Sequence, residues 1–329
     1  MAVSRVIGAD AVHSSLKRAT ALFRVSAPHE FSEQGVWRRF ESRPLLRAGL
    51  ERRIYWRCHL GLDGDEEPAR GDVRGLEDVG LIDSLIGSLG NCSYPDWGWT
   101  SRVGKLGLVQ KDGLTLQVES SHLIWRPSST PNQAPEAGVR LPCYRRFAVP
   151  GYFLAIGSSG PPRQADRVRL YLNAGSANAI ELVVDLIRSF DSDGHEFEIK
   201  VLNNPGLYYR CDSIVCYLNR CDADAMFARV AEVASGRLRS PTPGFAERLA
   251  PGLARASDRS TPNALSFGQH RSRLVADALI AVDTSANAES SNGQRLVALA
   301  NAVAACGLDP AAPYRDLDTV SRPVHAGHL

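Results

Sequence analysis

Long apolar runs are missing from this sequence. No segment approaches the roughly 18 to 20 consecutive apolar residues that cross a bilayer. The opening stretch, MAVSRVIGADAVHSS, also lacks the sustained apolar core of a signal peptide. The seven cysteines contain no CxxC pair, so we expect structural thiols rather than zinc ligands. These absences favour a globular protein of the reducing cytoplasm, without a membrane partner.

The motifs of several common catalytic classes are absent too. The sequence has no GxxxxGK[ST] phosphate loop, no HExxH metal site, no GxSxG elbow, and no HRD or DFG motif of a protein kinase. We therefore expect no ATP hydrolysis, no metal and no organic cofactor. The net charge of only +2 gives no general attraction for nucleic acid or lipid.

Lysine is scarce. The sequence has 34 arginines against four lysines, which are Lys17, Lys105, Lys111 and Lys200. Positions that tolerate either cation have therefore mostly become arginine. Lys200 is the one lysine after position 111, and it therefore stands out.

The pattern predicts two regions. Residues 1–140 are predicted to form a helical region followed by a β-hairpin, because Ser14 to Phe23 and Pro44 to Tyr55 have helical apolar spacing. The hairpin is indicated by the Asp112-Gly113 pair between two strand-like segments. Residues 141–329 are predicted to form the core with C-terminal helices.

The second region has the clearest periodicities. Strands are predicted at 147–158, 168–173, 197–202 and 213–218, with an amphipathic helix at 179–190. Further helices are predicted at 222–238, 271–282 and 294–306. The fold class that follows is α+β, an antiparallel or mixed sheet flanked by helices.

Two of these strands have a polar face. On the first, Arg169, Tyr171 and Asn173 point the same way because side chains alternate along a strand, and on the second Lys200 shares its face with Glu198. If the two polar faces coincide, Arg169, Tyr171 and Lys200 lie in one pocket.

A family resemblance becomes specific at these residues. The block RLYLNAGSANAIELVVDLIRSFDSDGHEFEIKVLNNPGLYYRCDSIVCYLNR, with PGYFLAIG before it and LSFGQHRSRLVADAL after it, resembles the Hop-A type III effector family. That family includes the stand-alone lyases of class V lanthipeptide and thioamitide biosynthesis, which act beside a kinase of the aminoglycoside-phosphotransferase type. The resemblance runs from about Gly87 to Leu279. It implies a phosphorylated precursor peptide and such a kinase as partners.

The proteins of this family are in turn similar to the phosphothreonine lyase effectors, and that similarity implies roles for individual residues here. It implies Lys200 as the base, Arg169 in the place of a strand lysine, and Arg210 and Arg271 as phosphate ligands. Tyr171 takes the place of a general-acid histidine.

The proton donor stays open, because Tyr171 is a phenol where the pattern has an imidazole. His270 is a second candidate, since an ordinary histidine pKa of about 6.5 suits a donor better than a phenol's value of about 10. A phosphate that leaves as a dianion needs no donor.

Each candidate also has a purely structural interpretation. Lys200 could be an exposed strand lysine paired with Glu196 or Glu198, Arg210 could pair with Asp212, and Arg169 could be a surface cation. Tyr152 and Asn173 are candidates for substrate binding, with a core aromatic and a ladder-edge residue as their alternatives.

The chemistry explains why a lysine and arginines would be needed together. Phosphate elimination removes the Cα proton of phosphoserine or phosphothreonine while charge builds on the leaving phosphate, so a base and an anion clamp must act at once. The expected activity is a lyase that leaves dehydroalanine or dehydrobutyrine. The alternatives are a non-catalytic module that holds a phosphopeptide or leader peptide for the kinase, and a secreted virulence effector, which the Arg-rich, Ser-poor N-terminus does not favour.

Overall fold

The computed structural model describes residues 9–26, 29–63, 76–101, 107–127, 135–163, 166–258, 265–285 and 291–317. Within these ranges the helices are α1 (Ser14–Leu22), α2 (Arg43–Ile54), α3 (Val79–Leu89), α4 (Ser176–Ser192), α5 (Ala223–Val233), α6 (Phe267–Ser285) and α7 (Asn292–Ala305). A π-helical turn, Tyr55–His59, extends α2. The combination of helices with antiparallel sheets confirms the predicted α+β class.

The strands of the described ranges are short. The first eight are β1 (Phe23–Ser26), β2 (Glu30–Glu33), β3 (Val36–Arg39), β4 (Ser93–Ser101), β5 (Leu108–Lys111), β6 (Leu114–Gln117), β7 (Leu123–Arg126) and β8 (Glu136–Pro142). The others are β9 (Tyr144–Val149), β10 (Tyr152–Ile156), β11 (Arg167–Leu172), β12 (Phe197–Leu202), β13 (Ile214–Asn219), β14 (Glu247–Ala250) and β15 (Leu253–Asp258).

The chain divides into two compact units that are not simple halves. Unit 1 consists of Met1–Asp65, Arg210–Asp212 and Ser240–Leu329, and unit 2 consists of Glu66–Tyr209 and Ser213–Arg239. The contiguous division predicted at residue 140 stays a prediction.

In unit 2, the main sheet has the strand order β11-β13-β12-β10-β9, with every neighbouring pair antiparallel. One face of this sheet is apolar. Leu170, Cys216 and Ile199 form a row across β11, β13 and β12. Phe190 of α4 packs edge-on against Phe197 of β12, with ring centroids 5.1 Å apart. The apolar burial of α4 against this face holds the three central strands in place.

A second sheet of unit 2 has the order β6-β5-β4-β8-β7. The predicted hairpin around Asp112-Gly113 is present as β5 and β6, and both turn residues have positive φ, 48° and 80°.

Unit 1 combines helices with the small antiparallel sheet β1-β2-β3. Helix α6 packs on α2, α7 and β1. Buried Arg295 of α7 pairs with Asp283 of α6 and donates to the carbonyl oxygen of Thr20 at 2.6 Å. Strands β14 and β15 of this unit pair as an antiparallel hairpin.

Several predicted elements are confirmed and others need correction. The strand predicted at 197–202 and the helices predicted around 44–55 and 179–190 are present. The single strand predicted over 147–158 is wrong, because Gly151, with φ 82°, turns the chain into the β9–β10 hairpin. The helical region predicted before the β-hairpin is wrong over β1, β2 and β3, which form a sheet.

Within the described ranges, no helix has both the length and the apolar character needed to cross a bilayer.

Candidate functional site

The face of the main sheet opposite α4 carries the polar residues that the sequence singled out. Strand β13 lies between β11 and β12, and its residue Val215 pairs with Tyr171 on one side and Lys200 on the other. Side chains directly paired across antiparallel strands point to the same face. Tyr171 and Lys200 therefore share a face, in one row across three strands. Arg169 lies in the next row of this face.

Strands β11 and β12 are not neighbours, although the sequence suggested adjacent elements. Because β13 separates them, the backbones of Tyr171 and Lys200 lie about 10 Å apart, two strand spacings. The side chains that span this gap belong to β13, a strand whose apolar composition drew no attention.

The β13 residue that contacts cations from both neighbouring strands is Tyr217, which is 6% exposed. It pairs with Arg169 on β11 and with Glu198 on β12. The Lys200 Nζ atom lies 4.8 Å from the centroid of the Tyr217 ring, and the Arg169 guanidinium carbon lies 5.1 Å from it. Both distances are within the range of a cation–π interaction.

A second arginine of β11 reaches the same ring. The Arg167 guanidinium carbon lies 6.0 Å from the Tyr217 centroid, and Arg167 shares the face of Arg169 by strand alternation. One tyrosine ring therefore gathers two arginines and a lysine from two different strands. Neither Arg167 nor Tyr217 was predicted from the sequence. The alternation in RVRLYL could have identified Arg167, and the match in parity between Val215, Tyr217 and Asn219 could have identified Tyr217.

Lys200 has no hydrogen-bonded or ion-paired partner in the described part of the chain. Its Nζ atom makes a cation–π contact with the Tyr217 ring. Glu196, one of its two suggested ion-pair partners, lies 3.2 Å from Arg163 instead and accepts from the Asn219 side chain at 3.1 Å. Lys200 is half-buried on a rigid central strand. Its amine is thus held by packing and ring contact rather than by a carboxylate.

Two further candidates lie near this face. Tyr152 of β10 is half-buried, and it shares the face of Lys200 because Leu154, two residues on, pairs with Lys200. Asn173 follows β11 and is buried; its side-chain oxygen accepts a hydrogen bond from Arg239 at 2.5 Å. Their roles in substrate binding stay predictions.

Arg210 and Asp212, both in unit 1, form a buried bidentate ion pair. The Arg210 Nε and Nη2 atoms donate to the two Asp212 oxygens at 2.8 and 2.7 Å, and Nη2 also donates to the Tyr55 hydroxyl at 3.0 Å. Burial alone would raise the pKa of Asp212, but the charge and hydrogen bonds of Arg210 lower it overall, with help from His59. The ion pair suggested as the structural alternative for Arg210 is therefore present.

Arg271, also in unit 1, is 3% exposed and engaged at every nitrogen. Its Nε donates to the Pro313 carbonyl at 2.8 Å, its Nη2 lies 2.6 Å from Asp316 Oδ1, and its Nη1 lies 3.2 Å from His270 Nδ1. These contacts fasten the segment that follows α7.

His270 is half-buried beside that arginine. Burial, and then the charge of Arg271, lower the pKa of His270 below its ordinary value. The neutral imidazole is therefore favoured near neutral pH. The roles of His270, Arg210 and Arg271 in one site with Lys200 stay predictions.

The cysteines offer no metal site. Cys58, Cys143, Cys211 and Cys216 are buried free thiols. Burial raises the pKa of Cys58 to about 12, so its thiol is inert near neutral pH. Among the described residues, no three His, Cys, Asp or Glu side chains come together as a metal-binding group.

The HopA1 effector protein family matches residues 144–315 of this chain. The chain belongs to the HopA1 effector family. All eight candidate residues, from Tyr152 to Arg271, lie inside the matched range. No curated protein matches the sequence significantly.

Two solved structures are similar to this HopA1 family member. An effector protein from Pseudomonas syringae pv. tomato strain DC3000 is 18% identical, with a TM-score of 0.40. An effector from Pseudomonas syringae pv. syringae strain 61 is 16% identical, with a TM-score of 0.38. Each match covers 50% of this chain and 62% of the effector.

Proposed function

We propose that this protein is a lyase that eliminates phosphate from phosphoserine or phosphothreonine in a ribosomally made precursor peptide, with Lys200 as the base. The observation that carries the proposal is the placement of Lys200: a half-buried amine on the Tyr217 ring, without a carboxylate partner in the described residues, beside Arg169 and Arg167. The resemblance to phosphothreonine lyases supports the same assignment.

The base step uses the amine of Lys200. It takes the proton from Cα, the electron pair of the Cα–H bond becomes the second bond between Cα and Cβ, and the Cβ–O bond breaks with its electrons on the departing phosphate. A lysine can act in this way only in its neutral form, which neighbouring cations favour. Arginine, which stays protonated, could not replace it.

The arginines of β11 bind the leaving group. A unit charge on phosphate about 5 Å from an ammonium group would hold the proton there by about 3 kcal/mol at an effective dielectric near 20. Arg169 and Arg167 offset this attraction, because they place compensating positive charge and paired N–H donors at the phosphate oxygens. Arg210 and Arg271 stay in the proposal as further ligands implied by the resemblance.

Two proton donors for the phosphate remain candidates, and a third route uses no donor from the protein. Tyr171 is a buried phenol on the Lys200 face, and His270 is disfavoured as an acid near neutral pH by its lowered pKa. Phosphate can also leave without an enzymatic donor, as HPO₄²⁻, if the phosphoester enters as its monoanion. If Tyr171→Phe turns over as fast as the wild type, Tyr171 is not the donor, and His270 or departure without a donor remains. A His270→Gln variant distinguishes these two, because only the route through His270 would be slowed.

The proposed substrate requires a kinase. A kinase of the aminoglycoside-phosphotransferase type would phosphorylate the precursor peptide, and this protein would consume the product. The protein itself needs neither metal nor organic cofactor in this scheme.

The decisive experiment incubates the purified protein with a phosphoserine peptide, with and without the kinase, and follows the peptide by mass spectrometry. Loss of one phosphoric acid molecule is expected from the wild type. Lys200→Met and Lys200→Arg should each slow this loss by about 10²–10⁴-fold, the usual contribution of a general base. Lys17→Met, at an exposed lysine of α1, is the matched control and should leave the rate unchanged.

An undiminished rate in Lys200→Met would contradict the assignment of the base. Phosphopeptide binding without elimination under either condition would instead identify a non-catalytic module that presents the peptide to the kinase.

A further inference from the structure

The three-stranded sheet of unit 1 has one covered edge and one open edge. On the covered side, the β1 residue Val25 donates its N–H to Asp283 at 2.8 Å, and the carbonyl oxygen of Phe23 accepts from Arg295. On the open side, β3 pairs only with β2 among the described residues. Val36 and Trp37 of β3 are 57% and 51% exposed.

The register identifies the backbone groups that face outward. Val36 pairs with Glu33 around the two-residue turn, and the N–H of Phe40 donates to His29 at 2.8 Å. Hydrogen-bonding residues alternate along an antiparallel strand, so Val36, Arg38 and Phe40 face β2. Trp37 and Arg39 face away. Their two N–H and two C=O groups have no partner within the described ranges.

This edge is already held in its extended form. At one end, Gln34 and Gly35 have φ of 51° and 86°, the values of a hairpin turn with positive φ at both positions. At the other end, the Phe40 ring stacks on Phe31 at 5.4 Å and closely approaches Gly49 of α2. A strand that adds to this edge would therefore not have to order it, which lowers the entropic cost of binding.

The side chains of the edge are cationic and aromatic. The segment VWRRFESR, residues 36–43, contains three arginines and one glutamate. Trp37 and Arg39 point to the same face, and the Arg39 side chain is 83% exposed although it lies 3.6 Å from Glu30. Edge strands of stable monomers are protected from association by short length, charge, bulges or coverage, and on β3 that charge is positive, so it repels basic strands and attracts acidic ones. An accessible edge with an exposed tryptophan and a net positive charge is suited to a ligand.

We propose that the β3 edge binds an extended acidic peptide by strand addition. The peptide backbone would pair with Trp37 and Arg39, an apolar residue of the peptide would lie against the Trp37 ring, and a carboxylate two positions away would pair with Arg39. This binding needs no contribution from Lys200, so it stands or falls separately from the lyase proposal.

The test selects displayed twelve-residue random peptides on the wild-type protein and counter-selects on Arg39→Pro. Proline at position 39 removes one outward N–H and leaves the β2–β3 ladder intact, because that N–H faces away from β2. Arg39→Ala is the matched control, since it loses the side chain but keeps the N–H. Recovered peptides should be enriched in Asp and Glu, and Arg39→Pro should bind them about tenfold more weakly than Arg39→Ala.

Hydrogen exchange gives the second measurement. A bound peptide should slow exchange at the amides of Trp37 and Arg39 and leave those of Val36 and Arg38 unchanged. If Arg39→Pro does not fold, peptides N-methylated at alternate residues should lose binding to the wild type by the same factor.

The proposal is overturned if no peptide is recovered, if recovered peptides lack acidic enrichment, or if Arg39→Pro and Arg39→Ala bind them equally. It is also overturned if the protein sediments as a dimer that Arg39→Pro converts to a monomer, because the occupant of the edge would then be a second copy.

Discussion

Tyr217 joins cations that come from two strands separated by a third. Positive charges on neighbouring strands repel one another, and the face of an aromatic ring attracts each of them. The ring at position 217 is therefore a shared contact for Lys200, Arg169 and Arg167. A carboxylate in that position would compete with phosphate for the arginines, whereas a neutral ring does not.

Replacing this ring should impair the proposed reaction without removing any reacting group. Tyr217→Leu loses the cation–π contacts, each worth about 0.5–2 kcal/mol, so kcat/KM for phosphate elimination should fall by about 10–100-fold. Tyr217→Phe keeps the ring and should stay near the wild-type value. Equal losses in both variants would point to the hydroxyl group, and no loss in Tyr217→Leu would show that Lys200 is positioned by other contacts.

At the scale of elements, Glu33 fastens β2 to the end of α2. Its two oxygens accept from Arg53 of α2 and from Arg57 of the π-helical turn, and all three side chains are buried. Burial alone would raise the pKa of Glu33, but the hydrogen bonds and charges of the two arginines hold it below its usual value of 4.5.

The stability of the protein should depend on this carboxylate in a pH-dependent way. A lowered folded-state pKa contributes stability that is fully present above about pH 4.5, the unfolded value, and is lost as the pH falls through the folded value. At pH 7, Glu33→Gln leaves two buried arginines uncompensated and should lower the free energy of unfolding by about 3–5 kcal/mol.

Urea denaturation at pH 7 and below pH 4 measures this difference. Glu30→Gln, at the weaker and more exposed Glu30–Arg39 pair, is the control and should change the free energy of unfolding by less than about 1 kcal/mol. A loss in Glu33→Gln that is equally large at both pH values would contradict the assignment of the effect to the carboxylate charge.

The elements also show what could be predicted from the sequence. Strand β12 was predicted to the residue, because FEIKVL alternates between a buried and a half-buried face. Helix α4 was predicted from its amphipathic spacing. Strands β1, β2 and β3 were missed because each has four residues, too few for a periodicity to appear, and the Gln34-Gly35 turn that sets their register is a weak signal alone.

The candidate site, too, could be predicted from the sequence only in part. The shared face of Arg169, Tyr171 and Lys200 could be predicted from strand alternation, since a period of two is a property of each strand by itself. The order of the strands is set by tertiary packing. The position of β13 between β11 and β12, which also places Tyr217, could therefore not be predicted from the sequence. The engagement of Arg271 by Pro313 and Asp316 likewise depends on residues more than forty positions away.

At the scale of the molecule, unit 1 is assembled from distant parts of the chain. Helix α6 supplies Asp277 and Arg273, which pair with Arg47 and Glu51 of α2. Unit 2 receives its central strands from a nearly continuous stretch, interrupted only by Arg210–Asp212. The two units should therefore respond differently to loss of the C-terminal helices.

A chain truncated after Ser240 tests this difference. Without α6 and α7, the backbone amides of α2 should exchange with solvent much faster than in the full chain, because α2 loses its packing surface. The amides of β12, which is paired on both sides by β10 and β13, should stay protected. Hydrogen exchange read by mass spectrometry compares the two chains, and slow exchange in α2 of the truncated chain would contradict the prediction.

The long separation of α2 and α6 also has a consequence during synthesis. Helix α2 ends at Ile54, and α6 begins at Phe267. At an elongation rate of roughly 5–20 residues per second, about 10–40 s pass on the ribosome between the two helices. The strands of the unit 2 sheet can pair in that interval. Leu46, Leu50 and Ile54 of α2 stay without the packing surface of α6 until α6 is synthesised. The nascent chain thus presents the apolar side chains of α2 to chaperones until α6 has been synthesised.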